Sequence, residues 1–339
     1  MKERVEEAVR RALAYLAAAQ LDHGEWPVLQ SPEPTLQREA TLDSTPFATA
    51  LILHGLRFAD PAEARTAIDK GCAFLLAEMR GEGLWTYWSS YNPAFQEAPP
   101  DIDDISCISY VLRHYGHTFA SAREIILDHR NEEGLFYTWL LPRAESSPRL
   151  KAALEAEWHP SLAQVMASMS LRDVVDTAVN ANALLFLGES DPRTHASRDA
   201  VVRRVLAGTE VDGGDYYLGP VIIWYFVARA FANGVRGFGA VRDHVIARVP
   251  DELSDPTPQT LALAICTLFD FDGAVEEPWI ESLLDSQADD GSWPRETAYI
   301  YGDRESGSAY FYGSESLTTG FCLEALARYS LARGARKHA

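Results

Sequence analysis

Two kinds of helix alternate along this chain six times, and that alternation is the tightest constraint on its fold. One series covers about 2–19, 62–80, 119–130, 195–207, 237–248 and 277–287, and carries charge along one face, as Arg4, Glu7, Arg10 and Arg11 do. Such helices keep one side in water. The other series covers about 44–58, 103–116, 174–188, 219–232, 257–270 and 315–330, and is nearly apolar all round, as in Thr45-Pro46-Phe47-Ala48-Thr49-Ala50-Leu51-Ile52-Leu53. A helix without a polar face must be buried on every side. The pattern predicts an all-α fold: a single (α/α)₆ toroid of six helical hairpins, with inner and outer rings, spanning 1–339 as one domain.

The punctuation agrees. Gln20-Leu21-Asp22-His23-Gly24-Glu25-Trp26 and Gln287-Ala288-Asp289-Asp290-Gly291-Ser292-Trp293 share the pattern Q-x-x-x-G-x-W. Gly83-Leu84-Trp85, Gly134-Leu135-Phe136 and Gly214-Asp215-Tyr216 are partial copies. Glycine supplies the left-handed backbone that ends a helix, and the following ring packs back on it. The apolar helices open on Asp43-Ser44, Asp103-Asp104, Asp173 to Asp176, Asp255-Pro256 and Ser314, residues suited to a first turn. Only 136–172, with Pro142, Pro148, Pro160 and a charged helix near 149–157, breaks the period. It reads as an irregular insert, either a lid or an edge contact.

A net charge of −19 argues against nucleic acid and against anionic membrane surfaces. No apolar run reaches the ~18 residues of a membrane span, and Met1-Lys2-Glu3-Arg4 lacks a signal-peptide core, so a cytoplasmic location is expected. Cys72, Cys107, Cys266 and Cys322 lie far apart in apolar helices and read as buried free thiols.

In a toroid of this kind the inner helices all run the same way, and their N-termini gather at one mouth. Their dipoles favour anions there. Asp101-Ile102-Asp103-Asp104 opens the second inner helix. One aspartate completes a cap; three crowd and repel, which leaves capping alone or an acid centre as the two readings. Aromatic residues gather at the same rim, with Trp85, Trp88, Tyr91, Tyr216, Tyr217, Trp224, Tyr310 and Tyr312 as the candidate lining, beside Tyr87, Tyr225, Tyr299, Tyr301 and Phe311. Ring faces suit a greasy ligand that develops positive charge. Asp173, Asp176 and Asn180 share a helical face at the third inner helix. They read either as a Mg²⁺ site for a substrate diphosphate or as a cap with a buried polar network.

The Q-x-x-x-G-x-W turns resemble those of squalene–hopene cyclases and related class II terpene cyclases, and Asp101-Ile102-Asp103-Asp104-Ile105-Ser106 resembles their D-x-D-D-[T/S] acid motif. The resemblance in repeats spans nearly the whole chain; the acid motif covers four residues. It implies protonation of an alkene or epoxide by Asp103, supported by Asp101 and Asp104, and ring closure through carbocations of a linear isoprenoid, such as a prenyl diphosphate. Crowded carboxylates keep a proton on the cluster, consistent with that role. The chain departs from the family in having no room for the second helical domain that covers the acid in relatives. The insert, a second subunit in a homodimer, or a partner would have to cover the site. His54, His114 and His159 are candidates for the acid's hydrogen-bond partner, a residue the family implies. Two rival readings stand: an (α/α)₆ glycan hydrolase or lyase using two carboxylates, and a non-catalytic isoprenoid-binding module.

Overall fold

The computed structural model of the chain describes residues 1–95, 98–143, 146–157, 173–212, 216–302 and 307–335. Six helices form an inner ring: α2 (Pro46–Leu56), α4 (Ile102–His114), α7 (Thr177–Leu187), α9 (Pro220–Ala232), α11 (Pro258–Asp270) and α13 (Glu315–Ala335). Each packs on the next, and α13 packs back on α2, so the ring closes. Outside it lie α1 (Lys2–Ala19), α3 (Pro61–Ala77), α5 (Arg123–Leu127), α8 (His195–Ala207), α10 (Arg242–Glu252) and α12 (Glu277–Asp285). Helix α1 packs on α13, which joins the start of the chain to its end. The alternation in sequence is therefore an alternation in space, and the fold is the (α/α)₆ ring.

Local chemistry starts the inner helices within a few residues of the expected places, although the caps of three are Thr45, Asp101 and Thr257 and not Asp43-Ser44, Asp103-Asp104 and Asp255-Pro256. Thr45 accepts from the backbone N–H of Phe47, Asp101 from Asp103, Asp176 from Ala178 and Val179, and Thr257 from Thr260. Proline occupies the first turn of α2, α9 and α11, where its missing N–H costs nothing.

The two full repeat turns are built alike. Gln20 Nε2 donates to the carbonyls of Gly24 (2.9 Å) and Ala67 (3.0 Å), and Gln287 Nε2 to those of Gly291 (2.9 Å) and Ala8 (3.0 Å). Each glutamine thus ties its own turn to the neighbouring outer helix. The Trp26 indole donates to Leu16 O and the Trp293 indole to Leu283 O, pinning each ring beneath the last turn of its helix. Trp85 does the same with Leu75 O, 2.7 Å away, so the partial copy keeps the ring's role without the glutamine. The glycine is obligatory for two reasons. Gly24 has φ +103°, and a Cβ there would lie 2.2 Å from Lys70 O. Gly24→Ala is expected to lower stability by about 3 kcal/mol, read as a lower urea midpoint with an unchanged slope.

Two features depart from the sequence reading. The outer helix expected over 119–130 shrinks to α5; the backbone before it lies close against the Gly83 turn, with Ala120 O 2.2 Å from where a Cβ on Gly83 would stand. The second is a four-stranded antiparallel sheet, β1 (Val28–Ser31), β2 (Thr41–Asp43), β3 (Tyr299–Tyr301) and β4 (Tyr310–Gly313), in the order β2-β1-β4-β3. Strand β2 runs into α2 and β4 into α13, which sets the sheet at the N-terminal mouth of the inner ring.

Of the 136–172 insert, the described part holds a short helix, α6 (Pro148–Glu157); Arg149 at its start pairs with Glu82 (2.8 Å). Residues 158–172, including His159 and Pro160, and the Gly214 turn lie outside the described residues. All four cysteines are buried and free. Among the described residues no helix is long and apolar enough to cross a membrane.

Candidate active site

A cavity of about 380 Å³ opens at the mouth where the inner helices begin. Its wall includes Phe47 from the start of α2, Asp101, Asp103 and Asp104 from α4, Val179 from α7, Tyr217 before α9 and Tyr312 before α13. The sheet adds Tyr299, Ile300 and Tyr301. Trp139 and Leu141 form a small apolar cluster joined to the main core by Tyr216 and Tyr301, which pack against both. The Trp139 indole donates to the Tyr216 hydroxyl (2.8 Å), and the N–H of Ile300 donates to Tyr216 O (2.8 Å). Three separate segments are thereby laced together over the cavity.

The three aspartates are all buried and have different duties. Asp101 is the N-cap of α4, its Oδ1 accepting the Asp103 N–H at 2.6 Å. Asp103, one turn-start further on, receives two side-chain donors, Asn182 Nδ2 on Oδ1 (2.6 Å) and Tyr217 Oη on Oδ2 (2.5 Å). Behind Asn182, Arg229 Nη2 donates to Asn182 Oδ1 (2.6 Å) and contacts Cys107 Sγ (3.3 Å). Arg229 is buried against the faces of Phe226 and Tyr225. Asp104 Oδ1 has no hydrogen-bond partner among the described residues, and its side chain lines the cavity.

Burial raises the carboxyl pKa of all three, and mutual repulsion pushes Asp101 and Asp104 well above the usual range. Burial raises Asp103 too, but Tyr217, Asn182 and the positive charge of Arg229 pull it back. Burial and crowding therefore favour protons on the cluster, while Asp103 is the member whose anion is best stabilised. A proton on Asp103 is held by the strongest acid of the trio, at an apolar wall. The protons belong to the cluster as a coupled set.

Not every expected residue takes part. Trp88, Tyr216, Tyr217 and Tyr312 line the cavity. Trp85 does not: it is the wedge of a repeat turn. Trp224 is wholly buried elsewhere, donating to Glu210 (2.8 Å) beneath Arg248. Tyr91 is exposed and stacks on His23, and Tyr310 points outward beyond the covered part of its strand.

The Asp173, Asp176 and Asn180 trio does not fit a magnesium site. Asp173 is 77% exposed and pairs with Arg143 (2.8 Å). Asp176 Oδ1 is the cap of α7. Asn180 spends its amide on Phe136 O and Asp176 O, and its Oδ1 on Phe136 N–H and the Ser197 hydroxyl. An exposed ion pair, a helix cap and a buried polar network account for the three in turn, so no step is routed through a metal here.

The sequence does not single out Asn182 and Arg229 as the acid's partners; the candidates it offers are histidines. His54 lies instead beside Glu324 (3.7 Å), and His114 ends α4, far from its acidic start. Part of the signal is present in the chain: Arg229 is the one charge within α9, whereas Asn182 is one of two amides in the apolar α7.

Burial pushes Asp176 from the ordinary 3.8 up to about 7, against the capped N–H groups that lower it. Between those values the folded chain holds a proton that the unfolded chain has released, so this group's stabilising contribution is complete below about pH 4 and lost as pH rises to about 7. Asp176→Asn retains the capping oxygen and should remove this slope. The wild type is expected to lose a few kcal/mol relative to the variant across that window, measured by urea denaturation at several pH values.

No protein-family model matches the sequence, and no curated protein does. Solved structures do match over nearly the whole length. A variant of the type II terpene cyclase MstE from Scytonema, in complex with its substrate geranylgeranyl dihydroxybenzoate, superposes with a TM-score of 0.65 at 17% identity, covering 97% of this chain and 98% of that one. The apo form of MstE gives 0.64 at 16% identity, covering 97% and 99%. An unsaturated glucuronyl hydrolase specific for heparin gives 0.58 at 11% identity, covering 98% and 99%. At these identities what is shared is the fold. The same ring carries isoprenoid chemistry in one neighbour and glycan chemistry in another, so function has to be argued from the site.

Proposed function

We propose that this protein is a class II, protonation-initiated terpene cyclase acting on a linear isoprenoid, with Asp103 as the general acid. One observation carries the reading: a buried carboxyl faces an aromatic cavity with both its oxygens already held by donors. An alkene is a very weak base, so its protonation needs an acid that is protonated at neutral pH yet loses its proton readily. Burial of the Asp103 carboxyl favours the first condition. Asn182, Tyr217 and Arg229 supply the second, because they are in place for the carboxylate that remains after transfer and need not reorganise. The proton passes from the Asp103 carboxyl to one alkene carbon, the neighbouring carbon becomes cationic, and the next double bond of the chain attacks it to close a ring. The faces of Tyr87, Trp88, Tyr299 and Tyr312 stabilise the moving charge.

The sheet and the Trp139, Tyr216 and Tyr301 cluster support a further part of this reading: they lie at the cavity mouth, where they would restrict water. The volume lies within the ~300–1,000 Å³ typical of small-ligand pockets. A glycan-acting role, which one neighbour's fold keeps open, fits less well. Sugars demand many directed polar contacts, and this wall is mostly rings and aliphatic groups.

The deciding experiment is incubation with farnesyl and geranylgeranyl diphosphates, the corresponding prenols, and geranylgeranyl dihydroxybenzoate, with and without Mg²⁺, followed by phosphatase treatment and gas chromatography–mass spectrometry. A cyclised product isomeric with its substrate is expected, and it also identifies the head group. Tight prenyl binding without a product would convert the reading to a binding module, and release of sugar from heparin-type glycans would replace it.

A further inference from the structure

Asp43 is a buried carboxylate that the acid machinery does not use. It is the last residue of β2 and is 3% exposed. Its Oδ2 accepts from Tyr87 Oη (3.0 Å), and its Oδ1 from Trp88 Nε1 (3.1 Å) and Asn92 Nδ2 (2.7 Å). Capping does not explain it, because the cap of the adjoining α2 is Thr45. Burying a carboxylate is costly unless its bonds repay the lost hydration. Two of its three donors are rings of the cavity wall, Tyr87 and Trp88, whereas Asp43 stands behind them. The Tyr87 hydroxyl also meets that of Tyr299 (3.3 Å), another wall residue, so it is fixed from both sides.

We infer that Asp43, acting through the Tyr87 hydroxyl, accepts the proton that ends the cyclisation. The inference rests on the cyclase reading and adds its last step. A C–H bond next to the final cationic carbon breaks, and its electron pair becomes the product's double bond. The proton goes to Tyr87 Oη as that oxygen's original proton passes along the existing hydrogen bond to Asp43 Oδ2. Charge balances, since the substrate loses one positive charge and the carboxylate one negative charge, and no other reactant is needed. Burial raises Asp43 above the ordinary carboxyl range, against its three donors, which favours proton uptake. Until that step its negative charge, transmitted through the Trp88 N–H, enriches the indole face turned to the cation. Donor and acceptor belong to different inner-helix starts, α4 for Asp103 and α2 for Asp43, so the proton need not return to the group that gave it.

The test compares wild type, Asp43→Asn and Tyr87→Phe on whichever substrate the wild type cyclises. Products are compared at equal conversion by mass spectrometry, and melting curves check the fold. Both variants are expected to shift the mixture several-fold from the wild-type alkene towards alcohols from water capture and alkene isomers from misplaced proton loss. A wild-type mixture from both variants overturns the inference while leaving the cyclase reading intact. A change in Asp43→Asn alone overturns the route through Tyr87. If Asp43→Asn does not fold, Tyr87→Phe, which keeps its ring, decides. Failure of the wild type to cyclise any substrate overturns the reading and the inference together.

Discussion

Asp103→Asn is expected to abolish cyclisation, with a loss of about 10³-fold or more in turnover, while the protein folds and binds substrate as before. The substitution is isosteric and keeps an oxygen for one of the two donors, Asn182 or Tyr217. It relieves crowding among three acidic groups but leaves the other donor without its acceptor, a cost of about 1–3 kcal/mol, so the melting temperature should change little. Asp101→Asn should cost less, because an amide still caps α4 through its oxygen and the acid remains. The pH profile supplies a second check. Cyclisation requires the cluster to be protonated, and all three carboxyls are raised above the ordinary range. Activity should therefore hold at acidic and neutral pH and fall on the alkaline side, as the cluster ionises. Turnover of the Asp103→Asn variant at the wild-type rate would remove the proton donor and the reading built on it.

The sequence shows the ring and the acid cluster plainly, for a physical reason. Whether a helix has a polar face is a property of its own residues, so the inner and outer series declare themselves without knowledge of their neighbours. Three aspartates in a first turn exceed what a cap needs, and that excess is also local. The sheet is not local. Its strands are three or four residues long and pair the beginning of the chain with its end, and such short segments carry no readable period. The acid's partners were hidden by the same circumstance. Asn180 and Asn182 both sit in an apolar helix, and composition cannot tell them apart. Two residues along a helix turn the side chain by about 200°, so Asn180 faces the Ser197 hydroxyl of an outer helix while Asn182 faces Asp103. The rings divide in the same manner. Tyr310 and Tyr312 share a face of β4, yet only Tyr312 lies under the covered part of the sheet.

Arg229→Met is the substitution expected to separate function from stability most sharply. A cation buried among rings, bonded to an amide and a thiol instead of a carboxylate, is a burden on the fold. An apolar side chain of similar length relieves that burden but leaves Asn182 Oδ1 without its donor, a loss of about 1–3 kcal/mol. The two effects oppose each other, and the variant should unfold within about 2 kcal/mol of the wild type. Activity has no such compensation. Arg229 lowers the acid's pKa through its charge and orients Asn182 by donating to its Oδ1, which leaves Nδ2 to donate to Asp103, so its loss makes Asp103 a weaker acid. A fall of about 10- to 100-fold in kcat is expected, with KM little changed because Arg229 does not line the cavity. The direction of the pH effect is what a merely structural role would not produce. With the cation gone the Asp103 carboxyl titrates at higher pH, so the alkaline limb of the activity profile moves upward even as the maximum drops. A variant that loses activity with its limb unmoved would show that Arg229 holds the site's shape and has no part in setting its acidity.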